Sequence, residues 1–308
     1  MKRIQAAIEA NQLAGCVVAV VDRERVLLEE AWGEQKVDDL FFIASTSKPL
    51  AATAILTAVP LEEVRGLLSH TAGVFPNATK DPAQADLIRN PQRTLAEAAA
   101  GIELLPLGEG AAYSDAGFLL AGRKAEIVTG LEFDEVVRTR LTGPLGMSDT
   151  FYRTDRDLTG RVAVMYHCTP AGLKRAGLQQ KVRNSGLIKV GSGLVSCARD
   201  LARFLQLHLR DGENILSPDV AREMRRDQTG GRWKHDPMGG ENSGYGLGWQ
   251  LGSDGVFFHA GAFGSLIWGD FNRGLGVVLL AQTPIHNVYG LWREAIPELL
   301  AQIPERRS

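Results

Sequence analysis

Ser45 and Lys48 are two residues whose types and spacing suit covalent chemistry. A short apolar segment, 41–44, leads to the serine, and an alanine-rich segment of helical character follows the lysine. If a helix begins near Ser45, the two side chains share a face about one turn apart. The serine then lies where the helix dipole favours developing negative charge. Pro49 fits this arrangement, because the first turn of a helix has N–H groups without partners.

The spacing of Ser45 and Lys48 is weak support on its own. A Ser-x-x-Lys motif is expected about once by chance in a chain of this length and composition. The alternative is an ordinary capped helix whose lysine faces solvent. The choice between the two depends on whether the rest of the chain supplies partners in a suitable order.

Tyr113 lies in a glycine-rich loop, 107–117, directly before a segment of helical pattern. A tyrosine in this position can be a half-buried amphipathic ring with no further role. A functional role requires a cationic neighbour. Beside Lys48, the phenol is expected to ionise below its reference pKa of about 10 and to act as a base.

His259 ends an apolar strand-like segment and is followed by the small residues Ala260 and Gly261. Small side chains allow a substrate to lie along a strand edge and to bond its backbone. For an isolated histidine, a purely structural role is the ordinary interpretation.

In this order, the three motifs resemble those of serine hydrolases related to class C β-lactamases and D-Ala-D-Ala carboxypeptidases, in which Ser-x-x-Lys carries the nucleophile. Other segments are similar to the same family. They are 67–73 (Leu-Leu-Ser-His-Thr-Ala-Gly), 191–196 with 200–202, and 244–249 (Gly-Tyr-Gly-Leu-Gly-Trp). The resemblance extends from about residue 15 to residue 281 and so covers nearly the whole chain.

The resemblance implies acyl transfer to water through a covalent serine intermediate. Ser45 would attack a carbonyl carbon, while Lys48 and Tyr113 would act as a coupled acid and base sharing one proton. By the same analogy, the backbone N–H groups of Ser45 and Ala262 would form the oxyanion hole.

Three further residues are expected to contact the substrate, namely Asp115, His259 and Gly261. Asp115 stands where the family more often has asparagine, and its negative charge should keep Lys48 as an ammonium and repel an acidic substrate. His259-Ala260-Gly261 replaces the Lys-Thr-Gly of the related β-lactamases. The histidine form resembles esterases, D-stereospecific peptidases and amidases. The chain is also short after Val59 and before Phe41, where we expect trimmed surface loops.

These features rank a broad-specificity carboxylesterase first, a D-amino-acid peptidase or amidase second, and a weak β-lactamase third. The alternative from another class is a binding or scaffold protein that keeps the fold without turnover, since a fold does not fix a function. Replacement of Ser45, Lys48 or Tyr113 by another residue type would favour that alternative, but all three residues are present.

The elements that position these residues are predicted to form an α+β fold of the β-lactamase/transpeptidase type, with an antiparallel sheet flanked by helices and an inserted, mainly helical lobe. The pattern predicts a helix over 2–13, a hairpin over 16–21 and 26–32, helices over 95–100, 117–129, 133–141, 196–209 and 288–302, and strands over 246–251, 256–259, 265–271 and 275–281. Residues 1–50 and 190–308 would form the sheet lobe and 51–189 the helical lobe, with the site in the cleft between them.

Composition excludes several other classes. The 308 residues carry a formal net charge of -2, which gives no electrostatic basis for binding nucleic acid or an acidic membrane. Three cysteines and six scattered histidines show no metal-ligand spacing, so we expect no metal and no cofactor. Residues 13–16 match a lipoprotein cleavage pattern, but the polar segment before them lacks an apolar core, so a cytoplasmic protein is expected. A small-molecule ester, amide or D-peptide is the expected partner, and the oligomeric state stays open.

Overall fold

The computed structural model of the protein describes residues 1–74, 86, 90, 93–102, 110–176, 187–233 and 244–303. The described helices are α1 (Lys2–Glu9), α2 (Ser47–Leu56), α3 (Leu61–Leu68), α4 (Leu95–Ala100), α5 (Asp115–Thr129), α6 (Phe133–Val137), α7 (Ala198–Leu209), α8 (Pro218–Met224) and α9 (Ile285–Leu300), with a 3-10 turn at Ala44–Thr46 and a π turn at Arg138–Thr142. The described strands are β1 (Gly15–Asp22), β2 (Val26–Gly33), β3 (Phe41–Phe42), β4 (Tyr166–Thr169), β5 (Gly172–Arg175), β6 (Val195–Ser196), β7 (Gly244–Tyr245), β8 (Gln250–Leu251), β9 (Val256–Ala260), β10 (Leu266–Asp270) and β11 (Leu275–Leu280).

The main sheet is antiparallel and has the strand order β2-β1-β11-β10-β9-β8-β7. The N-terminal hairpin therefore joins the C-terminal strands, because β1 pairs with β11, the last strand in the chain. The hairpin predicted over 16–21 and 26–32 is thus found, and it belongs to the same antiparallel sheet as the C-terminal strands. Two smaller two-stranded sheets pair β3 with β6 and β4 with β5.

Strand β1 is buried along its whole length, because the sheet is covered on both faces. Successive side chains of a strand point to opposite faces. Val17, Ala19 and Val21 belong to the large apolar cluster that also contains residues of α2 and α7. The intervening residues, Cys16 among them, pack in a second cluster with α1 and α9. Two-sided burial explains why β1 is apolar at nearly every position instead of alternating.

Helix α2 runs through the interior, and all ten of its residues are buried. Its three alanines, Ala51, Ala52 and Ala54, allow neighbouring backbones to approach closely. Gly248, at a backbone φ of +84°, is one such neighbour, since a Cβ there would lie 2.9 Å from the Ala52 Cβ and 3.0 Å from the Lys48 carbonyl oxygen. The glycine-rich segment 244–249 thus packs directly on the first turn of α2.

Two predicted elements differ from the structure. The helix predicted over 196–209 begins only at Ala198, because Val195 and Ser196 pair with Phe42 and Phe41 as a short strand. The single strand predicted over 246–251 is wrong. Its first part is a turn in which the Gly246 N–H donates to the Trp249 carbonyl, and this turn joins the short strands β7 and β8.

The helix predicted over 95–100 has the same ends in the structure, and the other predicted elements are found with ends shifted by one or more residues. Helix α1 ends at Glu9 instead of residue 13, and α9 begins at Ile285 with Pro297 inside it. The helix predicted over 133–141 changes to a π turn after Val137. Side chains from the segment 51–189 and from the sheet share one continuous apolar cluster. The division into two lobes remains a prediction. In the described part of the chain, no helix has the length and apolar character needed to cross a membrane.

Candidate active site

Ser45 lies in the 3-10 turn that directly precedes α2, not in the α-helix itself. Ala44 before it has a backbone φ of +44°, which is rare for a residue with a side chain and costs about 1 kcal/mol or more. Ser45 is partly exposed, whereas its neighbours Thr46 and Ser47 are fully buried. Of these three hydroxyl-bearing residues, only Ser45 therefore reaches the surface of the site.

The turn is held by buried hydroxyl groups on both sides of Ser45. Ser265 Oγ donates to the Ile43 carbonyl at 2.8 Å, and the Thr46 hydroxyl lies 2.9 Å from the same Ser265 oxygen. Ser47 Oγ accepts a hydrogen bond from the Leu194 N–H at 3.1 Å. These bonds offset the cost of the backbone at Ala44 and fix the position of the nucleophile.

Lys48 is the buried cation of the site, with no exposed side-chain surface. Its ammonium donates to the Asp115 carboxylate and, at 3.2 Å, to the Gly191 carbonyl, and it lies 4.4 Å from the centre of the Tyr113 ring. Burial lowers the pKa of Lys48, but the Asp115 charge and Tyr113 more than offset this, so the pKa is raised. Lys48 is therefore an ammonium at neutral pH.

The Tyr113 side chain lies beside both Ser45 and Lys48 and interacts with each of them. The structure thus brings the three residues together, although 65 positions separate Lys48 from Tyr113 in the sequence. The expectation that the phenol ionises below its reference pKa is wrong. Burial raises the pKa of Tyr113, and the nearby Lys48 charge lowers it by less. At neutral pH the phenol keeps its proton.

Tyr113 is positioned by the start of α5. Ser114 is the N-cap of this helix, and its Oγ accepts the Gly117 N–H at 3.2 Å, as short polar side chains do at this position. Asp115 follows in the first turn. Gly117 lies against α3, since a Cβ there would be 2.9 Å from the Leu67 carbonyl oxygen. This close contact fixes the distance between the two helices.

His259 ends β9 with its imidazole buried. Its Nδ1 lies 2.9 Å from the Ala260 carbonyl oxygen, and its Nε2 lies 3.1 Å from the Tyr245 hydroxyl. A carbonyl can only accept, so Nδ1 carries the proton and the Tyr245 hydroxyl donates to Nε2. Burial, together with the Lys48 charge, lowers the pKa of His259 to about 3. The imidazole is therefore neutral and brings no positive charge to the site.

Gly261 and Ala262 form the tight turn between β9 and β10, where the Gly264 N–H donates to the Gly261 carbonyl. A Cβ at Gly261 would overlap the Ile43 carbonyl oxygen and Ser265 Oγ, so only glycine allows this turn to lie against the chain that leads to Ser45. Ala262 is exposed at the tip of the turn.

Sequence reasoning gave no role to three residues that the structure places in the site. The Gly191 carbonyl accepts from Lys48, the Tyr245 hydroxyl bonds His259, and His70 packs on Tyr113 with ring centres 4.6 Å apart. Each lies in one of the segments 67–73, 191–196 and 244–249, which resemble the family. The sequence locates these segments but does not give the contacts that their residues make in the fold. Residues 107–109 of the glycine-rich loop and residues 234–243 lie outside the described residues.

A carboxylate, an ammonium, a phenol and a hydroxyl thus form one connected set, Asp115–Lys48–Tyr113–Ser45. Loss of one proton from the Lys48–Tyr113 pair would create a base in contact with the Ser45 hydroxyl. Such an arrangement can activate a serine for attack on a carbonyl carbon.

The sequence of this chain is similar to a family model and to several known proteins. A family model described as Beta-lactamase matches residues 2–62 and 63–295. Penicillin-binding protein 4 of Amycolatopsis lactamdurans is 32% identical over 64% of this chain and 52% of that protein. Lovastatin esterase of Penicillium rubens is 26% identical over 73% of this chain and 72% of that protein.

Among solved structures, EstCE1, described as a hydrolase with promiscuous acyltransferase activity, superposes with a TM-score of 0.79 at 22% identity. The superposition covers 96% of each chain. At this identity the likeness shows the fold. It confirms the predicted α+β fold of the β-lactamase/transpeptidase type, with its antiparallel sheet flanked by helices.

Proposed function

The chain belongs to the Beta-lactamase family and is a serine hydrolase, and from this premise we propose that it hydrolyses carboxylic esters through an acyl-enzyme on Ser45. The observation that carries the proposal is the placement of the Tyr113 side chain beside both Ser45 and the buried Lys48. A small-molecule ester is the proposed substrate.

The proposed reaction begins when the Lys48–Tyr113 pair has lost one proton. The pair takes the proton of the Ser45 hydroxyl while Oγ bonds to the ester carbonyl carbon. The tetrahedral intermediate then collapses, the bond to the alcohol oxygen breaks, and the pair returns the proton to that oxygen. Water attacks the acyl-enzyme in the same way and releases the acid. The proton belongs to the pair as a unit, because the two groups are strongly coupled.

Ser45 and Ala262 are proposed to supply the oxyanion hole through their backbone N–H groups. The first N–H groups of a helical turn have no intrahelical partner, which applies to Ser45. Among the described residues, no backbone acceptor takes the Ala262 N–H, and Ala262 is exposed at the tip of its turn. Removing one such donor typically costs about 3 kcal/mol of transition-state stabilisation.

The charges in the site favour a neutral ester over a substrate that carries a carboxylate. β-Lactam antibiotics are substrates of the second kind. His259 is neutral where the related β-lactamases have a lysine, so no cation is available there. Asp115 adds a negative charge, and the ammonium of Lys48 is already paired with it. A carboxylate brought into this site would meet no free opposite charge among these residues and would be repelled by Asp115.

A panel of chromogenic substrates tests the proposal. We expect kcat/KM to be highest for p-nitrophenyl butyrate, lower for a D-alanine p-nitroanilide and lowest for a chromogenic cephalosporin. The Ser45→Ala variant should lose ester turnover, and the variant Ser253→Ala, which changes an exposed serine in the turn between β8 and β9, should keep it. A cephalosporin or an amide hydrolysed faster than the ester would overturn the proposed substrate class.

A further inference from the structure

His70 lies at the point where the loop that carries Tyr113 meets the rest of the site. Its side chain is buried, and its backbone φ is +63°. A left-handed backbone is uncommon for residues other than glycine and persists only where the surroundings determine it. The contacts of His70 show what determines it here.

Two hydrogen bonds from one residue bracket Tyr113. The His70 carbonyl accepts the Ala112 N–H at 3.0 Å, and His70 Nδ1 accepts the Ser114 N–H at 3.1 Å. The residues on both sides of Tyr113 are therefore held by the main chain and the side chain of the same histidine. Because Nδ1 accepts, its proton must reside on Nε2.

The imidazole ring also supports the Tyr113 ring directly. The two ring centres are 4.6 Å apart at an angle of 37°, and the His70 ring packs 4.7 Å from Tyr245 and 5.6 Å from Phe118. The ring thus fills the space between the start of α5 and the strand β7. This packing restrains the tilt of the phenol, while the two hydrogen bonds restrain its backbone.

We propose that His70 is a positioning residue that holds the Tyr113 phenol beside Ser45 and Lys48. This inference rests on the proposed function of Ser45 as the nucleophile. His70 acts through Tyr113 and takes no part in the proton transfers. A displacement of the phenol by about 1 Å is enough to lower a rate by about 100-fold.

The test measures the rate at which a fluorophosphonate probe labels Ser45, with mass spectrometry to locate the label. We compare His70→Leu, which removes the Nδ1 acceptor and keeps an apolar side chain, with His70→Asn. The Asn Oδ1 occupies nearly the place of Nδ1, and asparagine tolerates a left-handed backbone. We expect His70→Leu to slow labelling about 10- to 100-fold and His70→Asn to recover most of the rate.

A double-mutant cycle separates positioning from general destabilisation. In the Tyr113→Phe background, where the hydroxyl is absent, His70→Leu should change the labelling rate by less than about threefold. Melting temperatures of all variants are measured alongside. If His70→Leu does not fold, His70→Gln replaces it, because its amide lies one carbon further out and misses the Nδ1 position.

The outcomes distinguish the two proposals. A wild-type protein that is not labelled at Ser45 overturns the proposed function and this inference together. The role of His70 alone is overturned if the wild type is labelled and His70→Leu is labelled equally fast. It is also overturned if His70→Leu slows labelling by the same factor in the wild-type and Tyr113→Phe backgrounds.

Discussion

At the scale of single residues, the protonation state of Lys48 determines the chemistry of the site. An ammonium with no exposure to solvent is costly unless it is paired, and here the Asp115 carboxylate and the Gly191 carbonyl both accept from it. The pairing keeps the charge in place but also stabilises the protonated form, which cannot act as a base. The resting site is therefore protonated on both Lys48 and Tyr113, and activity requires the loss of one proton.

The first prediction concerns the pH dependence of ester hydrolysis. We expect kcat/KM to rise through the alkaline range as the Lys48–Tyr113 pair loses its proton. The Asp115 charge raises the pKa of both groups, so Asp115→Asn should move this rise to lower pH. The control is Asp254→Asn, which changes an exposed aspartate in the turn between β8 and β9. If the rise of kcat/KM in Asp115→Asn occurs at the same pH as in the wild type, or at higher pH, the assigned charge states are contradicted.

The second prediction concerns selectivity for charge. We compare p-nitrophenyl butyrate with a p-nitrophenyl ester of succinate, which carries a carboxylate at the end of its acyl chain. The wild type should prefer the neutral ester, and Asp115→Asn should bring the kcat/KM ratio of the two esters closer to one. The difference should shrink as salt is added, because screening weakens repulsion. An unchanged ratio would remove Asp115 as a determinant of specificity.

At the scale of elements, close backbone approaches set the geometry of the site. Gly248 lets a turn of the sheet lie on the first turn of α2, and Gly117 lets α5 lie on α3. Gly261 brings the turn between β9 and β10 against the chain that leads to Ser45. Two of these contacts lie against the chain around Ser45 and Lys48, and the contact at Gly117 holds the start of α5, which carries Asp115.

The third prediction tests the contact at Gly261. In Gly261→Ala, the new methyl group must displace the Ile43 carbonyl and the Ser265 hydroxyl. We expect a loss of about 1–3 kcal/mol in the free energy of unfolding, as for other overpacked sites, and a fall of about 100-fold in kcat/KM from misplacement of Ser45.

A matched glycine provides the control for this prediction. Gly290 is exposed in α9, and a Cβ there would meet no atom within 4 Å. Gly290→Ala should leave kcat/KM unchanged and stabilise the helix by about 0.5–1 kcal/mol. Chemical denaturation and ester turnover, measured on both variants, check the pair. A fully active Gly261→Ala enzyme would show that the turn does not position Ser45.

The sequence predicted most elements because their patterns are local. Two strand-like runs separated by the polar segment 22–25 located the hairpin of β1 and β2, and Leu95–Ala100 was predicted with its observed ends. The turn over 246–249 was missed because its shape depends on packing against α2, which local pattern does not contain. The strand at Val195–Ser196 was missed for the same reason, since its partner β3 is distant in the chain.

The site could be predicted only in part for a related physical reason. Residue types, spacing and family resemblance pointed to Ser45, Lys48 and Tyr113, which the structure brings together. The charge state of Tyr113 was predicted wrongly, because burial outweighs the nearby cation. How deeply a phenol is buried depends on the whole fold and not on its neighbours in sequence.

At the scale of the whole molecule, burial lowers the pKa of two of the buried histidines in the described part of the chain, His208 and His259. His259 lies beside the site, and His208 is buried behind α2, where its Nε2 lies 3.1 Å from the Thr53 hydroxyl. Thr53 donates to the Pro49 carbonyl at 2.8 Å, so His208 Nε2 is the donor to Thr53. Burial, with the Arg225 charge nearby, lowers the pKa of His208 well below its ordinary value.

The fourth prediction follows for stability against pH. In the unfolded chain both histidines bind a proton below about pH 6.5, whereas folded His259 does so only near a pKa of about 3. The unfolded state thus binds more protons between these limits, and each histidine lowers the free energy of unfolding by about 1.4 kcal/mol per pH unit as the pH falls.

Comparison of the wild type with His259→Asn isolates one of these contributions. Between pH 6.5 and 5, the variant should lose stability with a slope smaller than that of the wild type by up to about 1.4 kcal/mol per pH unit. Urea denaturation at several pH values measures both slopes. Equal slopes in the two proteins would show that His259 takes up protons equally in the folded and unfolded states.

The most direct test of the central claim is to trap the acyl-enzyme. Wild-type protein is mixed with p-nitrophenyl butyrate and quenched in acid, and the butyryl group is located by mass spectrometry of its peptides. We expect one butyryl group per chain, on Ser45, together with a burst of p-nitrophenol that Ser45→Ala abolishes and Tyr113→Phe slows. Ester turnover that survives Ser45→Ala, or a butyryl group on any other residue, would contradict the account.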